Sequence, residues 1–180
     1  MDDAAKALFN KAFASFLIEE RGNILNGTAE RNLAARLGFI MERFKGEFGL
    51  SEYFADPEYN RMQDGRIKVA FDPDNLVEVR IQCDLLLHGR GERGLRENII
   101  AIEMKKSTAP LQEKLDDKIR LRALTTPPGP NTWPADGKTF PEYVCGYELG
   151  VYIELDIKRA LYVVEEYRGG KLVATHPGAF

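Results

Sequence analysis

The chain has 180 residues, with 25 Lys and Arg against 28 Asp and Glu and a formal net charge of −3. That length suits one domain, 1–180, with a sizeable core, and the acidic balance argues against a tight, sequence-independent DNA binder, which would be basic overall. The two cysteines, Cys83 and Cys145, lack zinc-site spacing and read as reduced core residues of a cytoplasmic protein.

Residues 1–20 predict an amphipathic N-terminal helix with Leu8, Phe9, Ala12, Phe13, Phe16 and Leu17 on one face. It has neither a basic leader region nor a long apolar run, so no signal peptide or membrane span is expected. The aromatic face is expected to pack on the domain; its other use would be contact with a second copy or a partner protein. Residues 28–44 predict a second helix with Thr28 as N-cap. Leu33, Ala34, Leu37, Ile40, Met41 and Phe44 form its apolar stripe, while Glu42 falls with Ala35 and Gly38 on the polar side. Glu30 lies on the apolar stripe in the first turn. There it either opposes the helix dipole or reaches into a site, directly or through a water. Residues 46–65 read as an aromatic-rich connector and 66–71 as a strand.

The most informative region follows. In 77–88, Val77, Val79, Ile81, Cys83, Leu85 and Leu87 share one strand face, and Asp84, Leu86 and His88 the other. In 98–105, Ile99, Ala101, Glu103 and Lys105 share a face. The Gly-rich stretch 89–94 supplies a turn. Pairing His88 with Ile99 places Leu86 opposite Ala101 and Asp84 opposite Glu103. Like charges directly opposed in an antiparallel pair are destabilising, so two acids inside apolar strands call for a proton or a cation between them. With Lys105 on the same face, Mg²⁺ is the more economical expectation, since it takes one or two carboxylates and keeps waters. The competing interpretation is a buried ion pair. Of the competing Asp-x-Lys triplets, 116–118 lies in a helical pattern, 136–138 in a Pro/Gly loop, and 156–158 ends a strand with no hairpin partner acid before it. His88 sits about 13 Å along the strand from Asp84 and reads as structural.

Residues 111–124 predict a helix with an apolar ridge of Leu111, Leu115, Ile119 and Ala123. Beside it, Lys106, Lys114, Lys118 and Arg122 form a candidate phosphate-tracking ridge, or lysines that lay their stems over apolar surface. Residues 126–141 form a Pro-rich loop around Trp133, expected to anchor the loop, with base stacking as the alternative. A strand at 147–155 follows, then a hairpin within 160–175, strands 161–167 and 171–174, turned by Gly169-Gly170.

An Asp closing one strand, Glu-x-Lys on the next and a glutamate on an earlier helix resemble the PD-(D/E)xK superfamily of restriction-endonuclease-like nucleases. The stretch QCDLLLHGRG…ENIIAIEMKKS, preceded by a helix of the ERNLAARL type, resembles a small bacterial branch of it. Cys83 stands where the superfamily name has Pro. The resemblance spans 28–155 and implies an α/β (α+β) fold: a restriction-endonuclease-like mixed sheet of about five to six strands flanked by helices, core order α-β-β-β-α-β. An N-terminal helix and a C-terminal β-hairpin would flank that core. It further implies Asp84 and Glu103 as metal ligands with the Met104 carbonyl, Lys105 as the group that positions water and stabilises charge, and Glu30 completing the site. The cofactor would be Mg²⁺, with Mn²⁺ as substitute. The substrate would be nucleic acid, DNA before RNA, in defence or repair. A catalytically silent module that binds a protein or nucleic-acid partner is the alternative.

Overall fold

The computed structural model describes residues 3–60, 82–91, 96–127 and 144–180, and the backbone of 69–72 and 77–80. The Pro-rich loop around Trp133 and the middle of the 89–94 turn lie outside the described residues. The chain adopts an α/β fold in which helices pack on both faces of a six-stranded mixed sheet.

Helix α1 (Ala4–Glu19) is capped by the Asp3 side chain, which accepts from Lys6 N–H at 3.1 Å. Ala5, Leu8, Phe9, Ala12, Phe13 and Phe16 are buried, so its aromatic face packs on the domain. Phe13 meets Tyr162 edge-on at 5.2 Å between ring centroids. A short helix α2 (Arg21–Leu25) leads into α3 (Glu30–Phe44). Ala29, not Thr28, is the N-cap of α3, and no side chain caps it. Gly38 belongs to the buried face rather than the polar one. A Cβ there would lie 2.9 Å from Leu85 Cδ1, so the missing side chain lets α3 settle close onto the sheet.

The sheet runs β1 (Phe54–Pro57), β4 (Leu85–His88), β5 (Asn98–Lys106), β6 (Leu149–Asp156), β7 (Leu161–Arg168), β8 (Lys171–Ala179) in spatial order. Among the described residues only β5 and β6 pair in parallel, joined through helix α4 (Leu111–Thr125). The first sheet strand is therefore 54–57, inside the expected connector. Its Ala55 N–H donates to Glu42 Oε1 at 2.6 Å, which fastens it to α3. The expected strand 66–71 is represented by β2 (Val69–Asp72), which pairs with β3 (Val77–Arg80) in a separate two-stranded ribbon.

The expected single strand 77–88 is thus two strands with a break before β4. Leu85 and Leu87 join the core under α1 and α3, whereas Cys83 joins Leu86 under α4. Cys83 consequently does not share a face with Leu85 and Leu87. Leu86 does oppose Ala101, but a bulge between Leu87 and His88 sets His88 against Asn98 instead of Ile99.

Helix α4 also turns differently from the expected ridge. Leu111 and Leu115 are exposed, and the buried face carries Asp117, Leu121 and Leu124 with Ala123 and Thr125. The C-terminal hairpin is longer than expected, with β8 reaching Ala179; Gly169 and Gly170 turn it at φ 56° and 76°. No described helix is long and apolar enough to cross a membrane.

Candidate active site

Three elements deliver the acids and the amine to one place. The register Leu85↔Ile102 continues to put Asp84, the residue just before β4, level with Glu103 on β5. Two hydrogen bonds tie that level together. Asp84 N–H donates to Glu103 Oε2 at 3.4 Å, and Met104 N–H donates to Asp84 Oδ2 at 2.8 Å. Glu103 is buried, with 1% of its surface exposed.

Glu30, at the start of α3, accepts from Lys106 N–H through Oε1 at 2.8 Å, and its Oε2 lies 3.6 Å from Lys105 Nζ. The structure therefore brings Glu30 to Lys105 and to the β5 backbone. Helix α3 and the β4–β5 pairing thus bring Glu30, Asp84, Glu103 and Lys105 together near the C-terminal end of β5.

Two residues not singled out from the sequence complete the network. Arg120, on α4, donates through Nε to Glu103 Oε1 at 2.6 Å. Its Nη2 donates to Asp117 Oδ1. Asp117 Oδ2 lies 3.3 Å from Lys105 Nζ without hydrogen-bond geometry, and it is buried. Asp117 thus faces both cations. The face Asp117, Leu121, Leu124 repeats at i, i+4, i+7, the same helical spacing that marks any buried stripe; an acid and an arginine one turn apart beside that stripe were the available signal.

Burial and the neighbouring Asp84 charge push the Glu103 carboxyl up to about 8, with Arg120 pulling the other way. Burial also raises Asp84, opposed by the Met104 N–H and Lys105. Burial alone would lower Lys105, but Asp117, Asp84 and Glu30 outweigh it and keep the ammonium charged. Lys105 therefore stands as a charged ammonium beside Glu30 and Asp117.

Among the described residues no group of three or more His, Cys, Asp or Glu side chains is disposed to hold a metal ion. The acids that converge closely are a pair, Asp84 and Glu103. Two carboxylates with water fit a hard cation such as Mg²⁺; a cage built wholly of protein ligands they do not supply.

The expected basic ridge is largely engaged in internal contacts. Lys106 Nζ donates to Gly27 O at 2.8 Å, and Lys114 Nζ to Ser107 O at 2.7 Å. Lys118 Nζ bonds Glu165 Oε1 at 2.8 Å and lies over the Tyr152 ring. Arg122 is exposed. His88, at the far end of β4, sits 3.1 Å from Asp56 Oδ2 and against the Tyr59 ring, a structural placement remote in register from Asp84. Cys83 is buried and, like Cys145, free of disulfides; its Sγ–H donates to Ile102 O at 3.4 Å.

No family model, curated protein or solved structure matches the chain significantly.

Proposed function

We propose that the chain is a Mg²⁺-dependent nuclease of the PD-(D/E)xK kind, hydrolysing phosphodiesters of DNA in preference to RNA. The observation that carries this reading is the convergence of Asp84 and Glu103 beside a charged Lys105 at the ends of adjacent strands. With the separate β2–β3 ribbon left aside, α3 and the strands of the main sheet run α3, β1, β4, β5, α4, β6, or α-β-β-β-α-β, which supports a restriction-endonuclease-like core.

In this reading Asp84 and Glu103 hold the cation with the Met104 carbonyl, and Mn²⁺ substitutes. Bound there, Mg²⁺ supplies a polarised phosphoryl oxygen and a water of lowered pKa. Lys105 places a compact positive charge against the negative charge that grows at phosphorus. Glu30 fixes the direction of that lysine and would reach the cation through a water. Asp84 and Glu103 would hold the cation as carboxylates, because ligating groups must be ionised.

A second reading, a silent module that binds a protein or nucleic-acid partner, is favoured by one observation: Arg120 Nε already occupies Glu103 Oε1 at 2.6 Å. Digestion of plasmid, single-stranded DNA and RNA with Mg²⁺ or Mn²⁺ separates the two. The nuclease cuts at least one substrate, and Lys105→Ala lowers the rate by about a hundredfold or more, the usual loss when a preorganised charge stabiliser is removed. Absence of cleavage by the unaltered protein on all three would select the binding module.

A further inference from the structure

We infer that Arg120 is the phosphate-gripping group of this site and that it competes with the metal cation for Glu103. The inference rests on the nuclease reading and adds to it a residue outside the Asp-Glu-Lys set.

Four observations meet in Arg120. Its Nε–H occupies one Glu103 oxygen at 2.6 Å, so a cation drawn to Asp84 and Glu103 must share or displace that bond. Its Nη2 is anchored on Asp117, one helical turn earlier, so release from Glu103 leaves the side chain tethered. Its Nη1 donates to nothing among the described residues, and the side chain is 19% exposed where Glu103 and Asp117 are 1% and 4%. The guanidinium therefore stands nearer solvent than the acids it bridges. Finally, Lys106, Lys114 and Lys118 are held by acceptors elsewhere in the fold, so among the described residues Lys105 and Arg120 are the cations paired with the acids of this cluster.

A guanidinium presents five donors in a planar fork that matches two oxygens of a phosphate. Asp117, whose Oδ2 is buried 3.3 Å from Lys105 Nζ and whose Oδ1 accepts from Arg120 Nη2, touches both cations. Were a cation to take Glu103, the edge of Arg120 released from it would stay tethered to Asp117 and be open to a phosphate oxygen. Metal entry and anion capture are then coupled, and an acidic chain gains a phosphate site without a basic surface.

The test measures Mn²⁺ binding by electron paramagnetic resonance and binding of a labelled single-stranded DNA oligonucleotide by anisotropy in Ca²⁺. Arg120→Gln should bind Mn²⁺ about tenfold tighter, because a unit charge at contact distance in a half-buried site is removed. It should bind the oligonucleotide about tenfold more weakly, because charge-assisted bonds to phosphate are lost. Arg120→Lys keeps the charge and loses the fork. It should hold Mn²⁺ within about threefold of the unaltered protein and still bind DNA more weakly. A purely structural arginine predicts the reverse for the metal, since loosening Glu103 would weaken Mn²⁺ in Arg120→Gln; that result, or unchanged DNA affinity in Arg120→Lys, overturns the inference. If Arg120→Gln does not fold, Arg120→Lys decides alone. Failure of the unaltered protein to bind Mn²⁺ would overturn the metal site itself, a distinct outcome.

Discussion

Raising the pH from 5 to 8 should destabilise this protein in the absence of divalent cations, and Glu103 is the principal reason. Its carboxyl is pushed from 4.5 up to about 8 in the folded chain. Between those values the folded state holds a proton that the unfolded state has released, so stability falls as pH rises. The stabilising contribution is complete below 4.5 and is lost through about 8. Each unit corresponds to about 1.36 kcal/mol, so the full displacement amounts to roughly 5 kcal/mol at most. Asp84 and Asp117, both raised mainly by burial, act in the same direction. Asp56 is opposite in sign: burial would raise it, yet Arg90 and His88 hold it low, so its contribution disappears only in acid, below the 5–8 window. Urea titrations followed by far-ultraviolet circular dichroism at pH 5, 6, 7 and 8 should show a loss of about 3–5 kcal/mol, equivalent to roughly 10 °C in Tm for a domain of this size. Glu103→Gln should flatten the profile. A wild-type curve that is level or rising over this range, with Glu103→Gln parallel to it, would refute the reasoning.

The other expectations concern the cation and the packing. Mg²⁺ at about a hundredfold over its Kd should add about 2.7 kcal/mol, and the melting shift should be larger at pH 8 than at pH 6 because Asp84 and Glu103 must shed protons; differential scanning fluorimetry at both pH values checks the order. Gly150→Ala should cost about 1–3 kcal/mol by overpacking, since a Cβ there lies 2.9 Å from Thr125 Cγ2 and 3.2 Å from Tyr167 Cβ; urea midpoints measure it. Phe16→Ala, at a fully buried position of α1, should cost about 3–5 kcal/mol in the same assay, and a loss near zero would mean that α1 is not docked as described.

The parts of the fold that could be read from sequence are those whose signal is local. Ile100, Ile102 and Met104 alternate with Ala101, Glu103 and Lys105, and this parity located β5 and aimed Glu103 and Lys105 together. The paired glycines at 169 and 170 announced the final hairpin. Phe-Ala-Asp-Pro in β1 carries no alternation, and it is a strand only because β4 and Glu42 receive it. The break before β4 was hidden because Cys83, Leu85 and Leu87 keep a perfect period of two across it. On α4, Leu111, Leu115 and Ile119 step as regularly as Asp117, Leu121 and Leu124. Leu86, Ala101 and Tyr152, which receive Leu121 and Leu124, and Glu103 and Lys105, which meet Arg120 and Asp117, mark which row is buried. Those partners lie on another element, beyond the reach of any window along the chain.

The parallel β5–β6 pair has a kinetic consequence. Its two strands meet only after α4 and the chain beyond it have been closed into a loop, and such non-local pairing slows the search for the native topology. Arg120 rides on that returning segment. Glu103 therefore meets Arg120 only where α4 is packed against β5. A transient lifting of α4 in the native protein would strip the cluster of Asp117 and Arg120 together while β4 and β5 stay zipped, which makes this helix the natural point at which the site can breathe.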